Sequence, residues 1–452
     1  MQTQFSGTLT AAQVKHHIPH HFVVPENCQR LHIHLRYEPP QVGRLRNMMT
    51  LTLFDPNGFR GAGHRHGNSH EITLTPSTAT PGYYPGPLPA GEWTVQIDTH
   101  MILPGANCPY TLTVTAESED AVIDAMPAAP ARFDFVANPD PGWYRGDIHA
   151  HTLHSDASWD VSELVDAARR IGLDFVTLTD HNTTSPLPEM ASYSTPDLLT
   201  MGGMELTTFW GHAVCLGTMN WIDWRVDAVG EGMARIAEAQ TAAGALFIIA
   251  HPNDQGDPVC TGCRWVYPHM QPGPARLVEV WNGRWESTDP ASKNEGSLNL
   301  WYRWLNQGYR LAATAGTDAH GPAPLDGVGF NTVYARELSQ AAILEGLAAG
   351  RNYLSAGPIL SFSAQNEDGE IALIGGDLPA CGEITLQCAW DDAPAGASLR
   401  LVRNGAVIHE QPILMSGSTE WSFPSEASQW FVLELRREDG WMAALTNPIA
   451  TI

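Results

Sequence analysis

Short apolar runs in the middle of this 452-residue chain keep ending on a histidine or a carboxylate. Phe175-Val176-Thr177-Leu178-Thr179 leads into Asp180-His181, Phe247-Ile248-Ile249-Ala250 into His251, and Ala313-Thr314-Ala315-Gly316-Thr317 into Asp318-Ala319-His320. Runs of this length are too short for ordinary helices and suit strands buried on both faces, as in a parallel sheet; Asp174 to Thr179, Leu246 to Ala250, Arg276 to Trp281 and Arg310 to Thr314 all fit. Helical spacing lies between them. Asp160 and Glu163 have capping-box spacing ahead of Leu164, Val165, Ala168 and Ile171, with Gly172 to end the helix. Leu298, Trp301, Tyr302 and Leu305 fall at i, i+3, i+4 and i+7, with Gly308 beyond. Strands alternating with helices over roughly 200 residues imply an α/β fold, either a β/α barrel or a doubly wound sheet.

The flanks have a different period. Arg30 to Leu35 and Met49 to Leu53 alternate apolar and polar, and Asp55-Pro56-Asn57-Gly58 and Pro81-Gly82-Tyr83-Tyr84-Pro85-Gly86-Pro87 are turns or loops. After Pro358 the alternation returns in Glu383 to Cys388, Ser398 to Arg403 and Trp430 to Leu435, with a hairpin turn at Asn404-Gly405. The expected organisation is an N-terminal β-sandwich over 1–120, an Ala/Pro/Asp-rich linker over 121–142, the α/β unit over 143–358 and a C-terminal β-sandwich over 359–452. Trp421, Trp430 and Trp441 are expected in the core.

Net charge of −24 argues against a nucleic-acid partner, because binding to phosphate backbones needs basic surface. No apolar run approaches the length that spans a bilayer, so no membrane partner is expected. Met1-Gln2-Thr3-Gln4-Phe5 does not open like a secretory signal, and seven cysteines, an odd number, fit a reducing compartment; both point to the cytoplasm. Cys260-Thr261-Gly262-Cys263 has no second ligand pair to make a zinc knuckle and is expected to be a structural loop or a local disulfide.

In β/α barrels, reactive groups gather at the C-terminal ends of the strands. Asp147-Ile148-His149-Ala150-His151, Asp156, Asp180-His181, Glu205, His212, His251, Asp318 and His320 sit where this rule would bring them together. Imidazole with carboxylate and no thiolate suits zinc, iron or manganese. The N-terminal histidines, including His16, His17, His20, His21, His64, His66 and His70, lack interleaved carboxylates and are expected at the surface or in turns.

Four phrases, Gly146-Asp147-Ile148-His149-Ala150-His151-Thr152, Thr179-Asp180-His181-Asn182, Ala250-His251-Pro252 and Gly316-Thr317-Asp318-Ala319-His320, resemble those of the PHP (polymerase and histidinol phosphatase) superfamily of metal-dependent phosphoesterases, over about Trp143 to Pro358. Pro81 to Gly86, Cys260 to Trp265, Val278-Glu279-Val280-Trp281-Asn282-Gly283 and Ser355-Ala356-Gly357-Pro358 resemble its carbaryl-hydrolase branch, whose members carry accessory β domains. The resemblance implies a distorted (β/α)7 barrel holding two or three divalent ions. By it, His149, His151, Glu205 and Asp318 hold one ion, Glu205 bridges to a second completed by His212 and His251, and Asp156, His181 and His320 hold a third. The family often has His where this chain has Asp156. Asp180 would orient His181 or another ligand.

The activity such a site implies is hydrolysis of a small organic phosphate mono- or diester through a metal-bridging hydroxide, with Arg264 and Arg284 stabilising charge on the phosphoryl oxygens and His154 as general acid. The rival reading is a carbamate or carboxyl-ester hydrolase using the same ligands; a non-catalytic binding protein is the third. A small-molecule ester is the expected partner. Tyr83 and Tyr84 lie on a loop that could reach the barrel mouth.

Overall fold

A computed structural model describes residues 1–118 and 131–452. Residues 121–130 of the expected linker lie outside the described residues. Its remainder is not a free connector: Val136–Asn138 pairs with Leu338–Ser339, and the Phe133 ring sits where a side chain on Gly202 would fall.

Residues 2–118 form two four-stranded antiparallel sheets. In one the order is Gln2–Thr10, Asn107–Ser118, Cys28–Tyr37, Ser69–Leu74; in the other it is His17–Val24, Gly91–Met101, Met48–Asp55, Gly58–Gly63. Alternating residues of both, among them Leu31, Ile33, Leu35, Leu51, Trp93 and Val95, merge into one core, as period-2 burial requires. A two-residue turn at Gly43-Arg44 joins the short strands Gln41–Val42 and Leu45–Arg46 into a hairpin beside them.

The central sheet is built from β1 (Gly142–Asp147), β2 (Phe175–Leu178), β3 (Leu199–Thr207), β4 (His212–Leu216), β5 (Leu246–Ile249), β6 (Leu277–Asn282), β7 (Ala312–Gly316), β8 (Phe330–Ala335) and β9 (Asn352–Ser355). Their order is β7-β6-β5-β4-β3-β2-β1-β8-β9. The expected helices form: α1 (Val161–Arg170) has a complete Asp160/Glu163 capping box, and α4 (Lys293–Asn306) buries Leu298, Trp301, Tyr302 and Leu305. Between them in sequence lie the one-turn α2 (Leu187–Met190) and α3 (Gly232–Ala242); α5 (Gln340–Ala348) precedes β9.

The (β/α)7 pattern is met only in part. β1-β2-β3 and β5-β6-β7 are parallel, but β4 is antiparallel to both β3 and β5, and β8 is antiparallel to β1. Only Phe209, Trp210 and their neighbours separate β3 from β4, too few residues for a crossover helix, so the chain turns back as a hairpin. Among the described residues no ladder joins β7 to β1. The ends approach through an Ala150–Ala319 bridge and through side chains: Asn331 Nδ2 donates to Ala315 O and its Oδ1 accepts from Ala315 N, while Asn352 Nδ2 donates to Ala313 O.

The C-terminal strands are not a separate layer pair. Met442–Thr446 pairs with β9, so the central sheet runs on through Trp430–Arg436, Ser398–Arg403 and Ala406–Pro412. A four-stranded sheet (Ile371–Leu373, Ile359–Asn366, Glu383–Asp391, Gly417–Pro424) covers that extension over a shared core. Asn404 and Gly405 make the expected hairpin turn with φ of 51° and 79°. Trp430 is core, and Trp421 and Trp441 pack half-buried against core clusters. No helix among the described residues is long and apolar enough to cross a membrane.

Candidate metal centre

β1, β2, β5 and β7 deliver His149 and His151, His181, His251, and Asp318 and His320 just past their C-terminal ends. Glu205 lies inside β3, two residues before its end. His212 opens β4, and because β4 is antiparallel its start lies beside the end of β3, with Thr207 facing His212 in register. Reversing a strand therefore keeps its first residue on the reactive face. The backbone is strained there: non-glycine residues Asn182, His251 and Asp318 have φ of 53°, 27° and 51°, a region costly enough to be held only by surrounding packing.

Glu205 is the hub. It is fully buried, and its Oε2 lies 3.2 Å from His149 Nε2, 3.4 Å from His151 Nε2 and 2.8 Å from His181 Nδ1. Its Oε1 lies 3.1 Å from His212 Nδ1 and 3.2 Å from His251 Nε2. Burial alone would raise its pKa, but His181, His149 and His212 hold it well below the usual carboxylate range. Asp318 Oδ1 sits 2.9 Å from His151 Nε2 and 3.5 Å from His149 Nε2. Asp156 Oδ1 sits 3.1 Å from His320 Nε2 and 3.5 Å from His181 Nε2.

Three overlapping donor sets result: His149, His151, Glu205 and Asp318; His181, Glu205 and His212; and His151, Asp156, His181 and His320. The first matches the expected grouping. In the others His181 and His151 are shared between sets, and His251 joins through Glu205 alone. The sets fit divalent cations on their own chemistry. His149 Nε2, His151 Nδ1, His212 Nε2, Asp156 Oδ1 and Glu205 Oε2 are buried without hydrogen-bond partners, which is costly unless a ligand satisfies them. The His151 ring also stacks 4.3 Å from His181 and 4.4 Å from His320, a packing that opposes protonating all three together.

Further groups fix these rings. Glu279, in the middle of β6, accepts from His149 Nδ1 at 2.9 Å on Oε1, and its Oε2 accepts from His251 N and Asn282 Nδ2. That leaves His149 Nε2 for the Glu205 side. Any Cβ on Gly316 would fall 2.1 Å from Glu279 Oε1 and 2.4 Å from His149 Cβ, so glycine is required for this contact. His251 Nδ1 is held by Cys263 O at 3.0 Å, and Cys260 and Cys263 form a disulfide in that loop. Asp147 ties the ends of β1 and β7 by accepting from His149 N and Thr317 N; burial pushes its pKa up to about 6.

The remaining expected residues are placed elsewhere. Asp180 does not touch His181: it accepts from Thr152 N, Thr152 Oγ1 and Ser155 Oγ, and so fixes the loop that carries Asp156. His154 turns away from the centre, with Nδ1 2.7 Å from Ser185 Oγ and accepting from Gly82 N, which corrects its reading as a general acid. Arg264 donates to Asp254 O and Arg284 pairs with Asp326 at 3.0 Å; both are exposed and neither lines the cleft, so local partners override their place on reactive-side loops.

The cleft above the centre, about 470 Å³, is lined on one side by Asp254, Val259, Cys260 and Cys263 and on the other by the N-terminal sheets. This corrects the expectation of surface histidines for His64, and His20 and His70 are buried as well; His66 is exposed as expected but lies at the cleft. His64 is buried with its ring 4.5 Å from His181, and His66 Nε2 lies 3.5 Å from Asp156 Oδ2. The loop around Tyr84 does reach the central unit: Tyr84 Oη meets Thr184 Oγ1 at 2.7 Å, and Thr183 Oγ1 donates to Gly82 O. Gly82 has φ of 91°, and a Cβ there would meet Ala62 O and His154 O, each at 2.6 Å. Tyr83 stays in the N-terminal core. Glu279 had one legible signal, a lone carboxylate inside the apolar run Leu277-Val278-Glu279-Val280-Trp281; His64 and His66 had none.

The chain is similar to a solved two-domain protein from Bacteroides vulgatus containing a predicted PHP-like metal-dependent phosphoesterase, at 17% identity over 71% of this chain and 100% of that one, with a TM-score of 0.40. It is also similar to an amidohydrolase from Chromobacterium violaceum with bound sulfate and no metal, at 18% identity over 40% of this chain and 89% of that one, with a TM-score of 0.27. No protein-family model matches the chain, nor does any curated protein.

Proposed function

We propose that this protein is a metal-dependent hydrolase of small organic phosphate mono- or diesters, using two or three divalent ions of zinc, manganese or iron. The observation that carries the reading is the convergence of eight ligand-type side chains into three donor sets that share Glu205, His151 and His181, with His251 joined through Glu205 and buried donor atoms left unpartnered. Divalent cations held there would acidify a shared water and clamp the attacking and leaving oxygens. The protein's own part is positional. Glu205 links the sets through its two oxygens, Glu279 and Cys263 O pin the far nitrogens of His149 and His251, and the buried floor excludes bulk water. Three sets rather than one favour a phosphoryl group, whose charge spreads over three oxygens in the transition state.

The carbamate or carboxyl-ester alternative draws on one observation: Met48, Met101 and Val259 give the cleft wall an apolar stretch that suits an aryl group. This is the chemistry of the carbaryl-hydrolase branch. Assaying the metal-loaded protein on bis(p-nitrophenyl) phosphate and on 1-naphthyl methylcarbamate separates the two. Turnover of the phosphodiester is expected; turnover of the carbamate alone overturns the first reading in favour of the second. Elemental analysis after gentle purification is expected to find more than one transition-metal ion per chain, and none would favour a binding protein.

A further inference from the structure

The N-terminal sheets contribute more than support to the cleft. Their hairpin places Arg44 and Arg46 on its wall, in a chain with 49 acidic and 25 basic residues. Every carboxylate lining the cleft already has a cationic or imidazole partner: Asp156 with His320, Asp318 with His151, and Asp254 with Lys293. Arg44 and Arg46 are exposed and form no ion pair among the described residues. Two unneutralised guanidiniums on the wall of an otherwise acidic protein are a local reversal of charge.

The hairpin is held in place. Asn47, buried at its base, donates from Nδ2 to Pro39 O, accepts on Oδ1 from Leu103 N, and gives its main-chain N–H to Pro40 O. The wall as a whole is pinned to the central unit. Arg65 donates to Leu153 O and Ser155 O on the loop that carries Asp156, and Thr261 Oγ1 donates to His100 O across the cleft. The guanidiniums are therefore carried on a fixed frame over the metal ligands.

We propose that Arg44 and Arg46 form a specificity-determining subsite for a second anionic group, a carboxylate or phosphate on the part of the substrate remote from the bond that is cleaved. The assignment rests on the hydrolytic reading above. The scissile group must meet the buried His/Asp/Glu floor, so charge presented by the exposed rim meets a different part of the same molecule. Guanidinium suits that task because it pairs with carboxylate or phosphate through two parallel hydrogen bonds. The substrate class is thus an ester with at least two anionic centres.

The test is calorimetric titration of the metal-loaded protein with phenylphosphonate and with 4-phosphonobenzoate, which differ by one remote carboxylate. The native protein is expected to bind 4-phosphonobenzoate about tenfold more tightly or better, a preference that shrinks with added salt as exposed charge pairs are screened. In the Arg44→Ala/Arg46→Ala protein the ratio should fall toward unity, and in Arg44→Glu/Arg46→Glu it should invert. Retention of the preference in either double variant, or its absence in the native protein, overturns the subsite. Hydrolysis of aryl phosphates without the preference rejects the subsite and leaves the hydrolase reading standing. The preference without hydrolysis supports the subsite and rejects that reading.

Discussion

In the central sheet, buried His251 faces a carboxylate at 3.2 Å and half-buried His320 faces one at 3.1 Å; in the N-terminal sheets, His70 and His100 are buried and face none. Burial lowers the pKa of all four. For His251, Glu205 more than reverses the effect and lifts it to about 9; for His320, Asp156 lifts it to about 10. His70 and His100 have no such neighbour, and burial takes them down to about 4 and 3. The same side chain, as deeply buried at His251 as at His100, is poised to share a carboxylate with a cation in one region and is a neutral packing element in the other. The partner, not the burial, sets the role.

The comparison is most directly broken at its centre. Glu205→Gln keeps the shape and removes the charge that five imidazoles share, so bound metal and turnover should both fall to background while the far-ultraviolet circular dichroism is retained. Full metal content in that variant would mean the histidines hold cations without the carboxylate. Glu279→Gln acts one layer out: it leaves the ligands in place but weakens the group that orients His149, and a loss of about 10- to 100-fold in metal affinity or activity is expected from such partners. Rescue of activity by raised metal concentration would mark it as a positioning residue.

The N-terminal side of the comparison is sharpened by pH. His70 has its folded pKa depressed from 6.5 to about 4, so the unfolded chain binds the proton first. Its contribution to stability is complete above pH 6.5 and is lost as pH falls toward 4, amounting to about 3 kcal/mol at 1.36 kcal/mol per pH unit. Urea unfolding at pH 7 and pH 4.5 should therefore show a smaller acid loss for His70→Gln than for the native protein; equal losses would remove His70 from the account. The smallest effect is the control. Asp160→Ala removes the α1 cap and should cost about 1 kcal/mol in stability without changing metal content.

Much of the central sheet could be read from local pattern. Runs such as Phe175 to Leu178 and Leu246 to Ile249 are wholly buried strands, and a histidine at the end of such a run has nowhere to go but the reactive face. The capping box of α1 and the apolar stripe of α4 are likewise local. A barrel reading carries the chain on past Thr207 and misses the reversal of β4, although the residues before His212 leave room only for a hairpin. Arg264, Arg284 and His154 were misplaced for a related reason. Strand-end position fixes where the backbone goes, but Asp254 O, Asp326 and Ser185 decide where those side chains point.

The sequence by itself determined the chemistry: imidazole and carboxylate donors, no thiolate among them, spaced so that any α/β packing of these strands would gather them. Only the tertiary structure decided what stands over them. It carried the central sheet on into the C-terminal strands and set His64, His66, Arg44 and Arg46 against the cleft. Those contacts join segments about a hundred or more residues apart. They are selected by the fit of whole surfaces, which leaves no periodic mark on the chain.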